Sequence, residues 1–122
     1  MSWWWIGLGA AVGAPLRYLT DRAVQHRHDS VFPWGTLAVN TAGSLLLGLV
    51  VGVAGHQATA GALVAGVGVG LCGAFTTYST FAYETVRLVE DGAVLYGALN
   101  VVANVLAGLA AATAGFGVAQ LL

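Results

Sequence analysis

The sequence predicts an all-α integral membrane protein: four transmembrane helices forming a single domain, residues 1–122. Three observations carry that expectation. Apolar residues make up 58% of the chain and charged residues only 7%, against about 25% charged in an ordinary soluble domain, so a water-facing surface cannot be built. The four Arg and five Asp or Glu fall at 17–29 and 84–91, leaving uncharged tracts at 1–16, 30–83 and 92–122. A spanning helix takes about 20 apolar residues, so the tracts hold one, two and one spans. Finally, the alternation that marks barrel strands is missing, and helices are the other way to pair every backbone group inside lipid.

The first span is placed at about 3–20. It opens on Trp3, Trp4 and Trp5, an aromatic cluster of the kind that sits at a membrane interface. It lacks a basic leading region, and Pro15 and Arg17 follow with no polar stretch suited to cleavage, so it reads as a span rather than a secretory leader. The connection at about 21–33 carries Asp21, Arg22, His26, Arg27, His28 and Asp29 and ends on Pro33, which suits the first turn of a following helix. His26 and His28 have no partner Cys and match no zinc spacing, so this segment reads as a solvated loop.

Span two, about 34–55, begins at Trp34, and an uncharged loop from His56 to Gly61 leads into span three, about 61–82. The third connection, about 84–92, holds Glu84, Arg87, Glu90, Asp91 and Gly92; Glu84 and Arg87, three apart, are expected to pair locally. Span four is placed at about 93–120. Cys72 is alone, which excludes an intrachain disulfide and suits a small buried residue. Arg22, Arg27 and Arg87 lie in the first and third connections, on one side of a four-span protein, and the positive-inside rule favours the cytoplasm for that side, although three arginines make too small a bias to fix one orientation. Glycines recur through spans two, three and four, the usual device for bringing helix backbones together in lipid. Four such lean helices enclose little volume, so the chain is expected to oligomerise.

Polar side chains within spans are expensive and face a bundle interior or a water-filled path. Here they are Arg17 at the end of span one, Thr36, Asn40, Thr41 and Ser44 in span two, Thr76 to Thr80 in span three, and Asn100 and Asn104 in span four. Asn40 and Ser44 share a helix face, as do Asn100 and Asn104. Interhelical hydrogen bonding would account for each singly; as a set they form a track. Span three holds Gly70-Leu71-Cys72-Gly73-Ala74-Phe75-Thr76-Thr77-Tyr78-Ser79-Thr80-Phe81, whose glycines, β-branched residues and Ser weaken helix. A break is expected there, around Gly73 to Thr77, and unwound carbonyls at that depth commonly hold a cation. Asn amides, hydroxyls and aromatic ring edges present partial positive charge. With no Asp or Glu in the predicted spans, such a lining suits an anion, which Arg17 would concentrate at a pore mouth.

These residues resemble the small bacterial fluoride channels of the Fluc, or CrcB, family. The resemblance covers nearly the whole chain and rests on Gly13-Ala14-Pro15-Leu16-Arg17-Tyr18, on Gly35-Thr36-Leu37-Ala38-Val39-Asn40-Thr41-Ala42-Gly43-Ser44, and on Gly73 to Phe81. It implies an antiparallel, dual-topology dimer in the plasma membrane, with two fluoride pores along the subunit interface and a structural sodium ion at its centre. On that resemblance Asn40 is the pore asparagine, and Tyr78 and Phe81 hold the ring-edge stations. Ser79 and Thr80 add hydroxyls, Arg17 stands in the vestibule, and the carbonyls of Gly73 and Thr76 from both subunits hold the sodium. Ser44, Asn100 and Asn104 complete the polar lining. Tyr78 stands where the family usually has Phe, and Asn100 and Asn104 where a Tyr and a Ser are usual.

Two other functions remain to be distinguished from passive fluoride export by a homodimer. One is a non-conducting partner in a heteromeric fluoride channel. The other is a small proton-coupled cation exporter, for which the first span lacks an acidic residue. Catalysis finds no support: Gly66-Val67-Gly68-Val69-Gly70 has neither the strand nor the Lys of a phosphate loop.

Overall fold

The computed structural model describes residues 3–27, 32–55, 61 and 64–121, and these are helical apart from short connections, with no strand among them. Helix α1 runs Trp3–Arg27 and α2 runs Trp34–Ala54. Helix α3 is π-helical over Val64–Cys72 and closes with one α-helical turn, Gly73–Phe75. After a break, α4 covers Ser79–Glu90 and α5 covers Val94–Ala119.

Three segments among the described residues are long and apolar enough to cross a membrane: Trp34–Ala54, Val64–Glu90 and Val94–Ala119. They correspond to the second, third and fourth expected spans. Helix α1, at 25 residues, has the length, but three tryptophans and Arg17 dilute its apolar run. Large apolar side chains point outward all along the bundle, with Leu95 71% and Leu109 64% exposed. A lipid environment accommodates such a surface; water does not.

Two expected connections are shorter than the charge pattern suggests. Helix α1 continues through Arg27 rather than stopping near 20, because Asp21, Arg22 and Gln25 are acceptable on a helix surface once it leaves lipid. His28, Asp29 and the loop at 56–60 lie outside the described residues. Likewise α4 continues to Glu90 and ends in a tight turn. Gly92 there has φ +86°, its N–H bonding Val89 O while Ala93 N–H bonds Leu88 O. This is the left-handed C-terminal motif that glycine adopts without strain.

The helices pack chiefly as two pairs, α1 against α3 and α2 against α5. Glycine determines both contacts. A Cβ on Gly9 or Gly13 would run into Gly66 O or Leu71 O, and one on Gly70 into Ile6 O. Gly9 with Gly13 and Gly66 with Gly70 each stand four residues apart, a small-xxx-small face on either helix. In the second pair, Gly48 meets Ala112 O and Gly115 meets Leu45 O with no room for a side chain. Backbones therefore touch where soluble bundles place leucines, and the enclosed core among the described residues is thin: Phe32, Val39, Val50, Ala65, Cys72, Leu88 and Ala119, with the polar Thr36 and Asn100.

Candidate functional site

The break between α3 and α4 is built by side chains that take over backbone hydrogen bonds. Thr76 turns extended, with φ −79° and ψ 162°, so α3 ends there; Gly73 to Phe75, expected to unwind, remain helical. In a continued helix Thr77 N–H would reach Gly73 O, and Thr80 N–H would reach Thr76 O. Instead Thr77 N–H donates to Asn40 Oδ1 at 2.9 Å, and Thr80 N–H donates to Thr77 Oγ1 at 3.2 Å. Asn40 Nδ2 then returns a bond to Thr77 O at 3.1 Å. One amide on α2 thus satisfies both backbone polar groups of Thr77, and the carbonyls of Gly73 and Thr76 are released from their expected helical donors. Thr76 Oγ1 donates back to Cys72 O at 2.9 Å, alongside the Thr76 N–H.

From Asn40 a head-to-tail series of amides crosses to α5. Asn40 Nδ2 donates to Asn104 Oδ1 at 3.2 Å, and Asn104 Nδ2 donates to Asn100 O at 2.8 Å and Asn100 Oδ1 at 2.9 Å. Asn100 Nδ2 donates to Thr85 Oγ1 at 2.8 Å, and Thr85 Oγ1 donates to Phe81 O at 2.8 Å. The series begins and ends on the backbone next to the break. Bonds aligned this way polarise one another, and every buried side-chain polar atom among the described residues is satisfied.

Beside the break opens a cavity of about 590 Å³, walled by Asn40, Gly43, Ser44, Gly73, Thr76, Thr77, Tyr78, Phe81 and Asn104 together with Leu47, Gly68, Val69, Cys72 and Val105. No charged side chain among the described residues lines it. Tyr78 is 80% exposed, and its ring lies 6.1 Å from that of Phe81, tilted by 50°. A second, smaller cavity of about 160 Å³ holds Arg17, Tyr18, Asp21, Thr36, Val39, Thr77 and Thr80. Thr77 belongs to both walls, so the break separates one cavity from the other.

The structure thus brings Asn40, Ser44, Tyr78, Phe81, Asn104, Gly73 and Thr76 to one wall, and Arg17 and Thr80 to the neighbouring one. Ser79 is exposed at the start of α4 and lines neither cavity. Asn100 is 0% exposed and stands behind Asn104. Glu84 and Arg87 do not form the expected local pair. Glu84 Oε1 accepts from Thr36 Oγ1 at 2.5 Å, while Arg87 lies near Asp91 at 3.8 Å and donates to Tyr83 at 3.0 Å. The buried Thr36 hydroxyl needs an acceptor, and Glu84 faces α2 to supply it. Sequence reasoning also passed over Thr85 and Gln25, whose Oε1 accepts from Gly35 N–H at 2.9 Å and so caps α2. Their signal was weak, since Gln25 fell in the segment read as a solvated loop and Thr85 in the third connection, where a single polar residue stands out from nothing.

The model of the family described as CrcB-like protein, Camphor Resistance (CrcB), matches residues 4–116. The chain is 57% identical over 122 residues to the fluoride-specific ion channel FluC 1 of Streptomyces avermitilis, covering 100% of this chain and 98% of the relative. It is 58% identical over 125 residues to FluC 1 of Frankia casuarinae, covering 98% and 97%. With the fluoride-specific ion channel FluC of Sorangium cellulosum the identity is 40% over 121 residues, covering 98% and 95%.

Proposed function

The chain belongs to the CrcB-like family, and on that premise we propose that it is a channel through which fluoride leaves the cytoplasm passively. It is a multi-pass membrane protein and not an enzyme. The observation that carries the reading is the uncharged wall of Asn40, Ser44, Thr76, Thr77, Tyr78 and Phe81 around one open cavity. Fluoride is small and strongly hydrated, so its water must be replaced by close donors; amides, hydroxyls and ring edges supply them. Arg17 beside the second cavity would raise the local anion concentration at the pathway's mouth.

In this reading α1 is the fourth span, and the unit of function is an antiparallel dimer of the chain in the plasma membrane. The exposed Tyr78 and the open cavity support it, because a second copy laid over that face would enclose the pathway. Gly73 and Thr76 fit a structural sodium ion. Their carbonyls are released from helical donors by Asn40 and Thr77, and free backbone oxygens at a helix break suit a hard monovalent cation. When bound, the ion would neutralise converging carbonyl dipoles and hold the breaks of two subunits together.

The test is a fluoride-electrode flux assay on the purified chain in liposomes, assembled with and without sodium. Fluoride is expected to leave, and chloride to be retained. Vesicles that keep their fluoride while the chain is folded and inserted would overturn the reading and leave the role of a non-conducting partner subunit.

A further inference from the structure

The amide orientations in the series from Thr77 to Thr85 are forced. A backbone N–H can only donate, so the Asn40 atom facing Thr77 N at 2.9 Å is Oδ1, and Nδ2 faces Thr77 O. An amide nitrogen carries two protons. The first goes to Thr77 O, and the second goes to Asn104 Oδ1 at 3.2 Å. Asn104 has its nitrogen engaged with Asn100, so its oxygen is the group it turns toward Asn40. Both residues line the larger cavity. The donor through which Asn40 would hold a passing anion is therefore already taken, by the longest bond of the series.

We propose that Asn104 is a specificity-determining placeholder: its Oδ1 holds the second amide proton of Asn40 when no anion is present and yields it to a strongly accepting anion. This rests on the fluoride-channel reading and adds a threshold to it. A hydrogen bond to an ionised acceptor is roughly twice as strong as one between neutral groups. Fluoride, small and with concentrated charge, displaces the Asn104 oxygen readily. A large halide with diffuse charge gains less from the same proton and leaves the amide pair closed. Asn104 thereby sets how strong an acceptor must be to engage Asn40, a role that a simple donor at this position could not perform.

The experiment measures efflux against fluoride concentration, with bromide as a competing anion, for the wild-type chain, Asn104→Leu and Asn104→Ala. Both substitutions remove the competing oxygen. The half-saturating fluoride concentration is expected to fall about three- to tenfold, the equivalent of one neutral hydrogen bond, and bromide is expected to begin inhibiting. The alanine variant asks less of the packing and decides the matter where leucine does not assemble. An unchanged or raised half-saturation, with efflux reduced and bromide still inert, marks Asn104 as merely structural and overturns the proposal. A wild-type chain that passes no fluoride overturns the channel reading instead, so the two failures are distinguishable.

Discussion

Replacing Asn40 with Asp tests the break and the pathway together. The substitution leaves Oδ1 in place to accept from Thr77 N–H but puts an oxygen where Nδ2 stood. That oxygen faces Thr77 O at about 3.1 Å and Asn104 Oδ1 at about 3.2 Å, so two donations are lost and three oxygens crowd one another. Both acceptors are part-buried beside the cavity, so each loss falls toward the lower end of the about 1–3 kcal/mol that a buried acceptor without its donor costs, or about 2–4 kcal/mol for the pair. The bond from Thr77 N–H becomes charge-assisted and offsets about 1 kcal/mol of this. The net of about 1–3 kcal/mol is enough to open the break locally without unfolding the helices around it. Fluoride efflux from liposomes is expected to vanish, and hydrogen exchange at residues 77–80 to accelerate about five-fold or more relative to α5, using about 1.4 kcal/mol per tenfold. An Asp variant that conducts at the wild-type rate, with residues 77–80 protected as before, would refute the account of Asn40 as the clamp of the break.

The glycine contacts give a paired test. Gly115→Ala and Gly117→Ala gain the same helix propensity of about 1 kcal/mol, but a Cβ at 115 meets Leu45 O and lies 2.9 Å from Leu49 N, whereas one at 117 meets nothing within 4 Å. Overpacking costs about 1–3 kcal/mol, so the 115 variant should melt several degrees below the 117 variant in detergent, and equal melting temperatures would dismiss the close approach of α2 and α5. At the turn between α4 and α5, Gly92 has open space around its Cα but φ +86°. Gly92→Val should therefore destabilise by about 1–2 kcal/mol through backbone strain alone, seen as a lower melting temperature with fluoride efflux retained at permissive temperature. A melting temperature equal to wild type would mean the turn is not held in that conformation.

Much of the architecture was legible in the residues. The uncharged tracts located α2 and α5 to within a residue or so of their ends, because the cost of charge in lipid is large enough to read from composition. The segment Gly70 to Phe81 announced a break through its poor helix formers. Its position, Thr76 to Tyr78 rather than Gly73 to Thr77, was not legible, because it depends on where Asn40 reaches from α2. The extra turns of α1 and α4 were missed for a related reason: charged residues end a membrane span without ending a helix.

What the sequence determined by itself is the class of protein and the faces of its helices. Hydropathy decides what enters lipid, and the 3.6-residue period puts Asn40 with Ser44 and Asn100 with Asn104. Only the tertiary structure decided which partner each polar group takes. Asn40 meets Thr77 across 37 positions, Glu84 meets Thr36 across 48, and Asn100 is sealed behind Asn104 although both lie on one face. Hydrogen bonds need placement to a few tenths of an ångström, and that placement comes from glycine contacts between helices distant in the chain. Periodicity along one helix holds no information about its register against another.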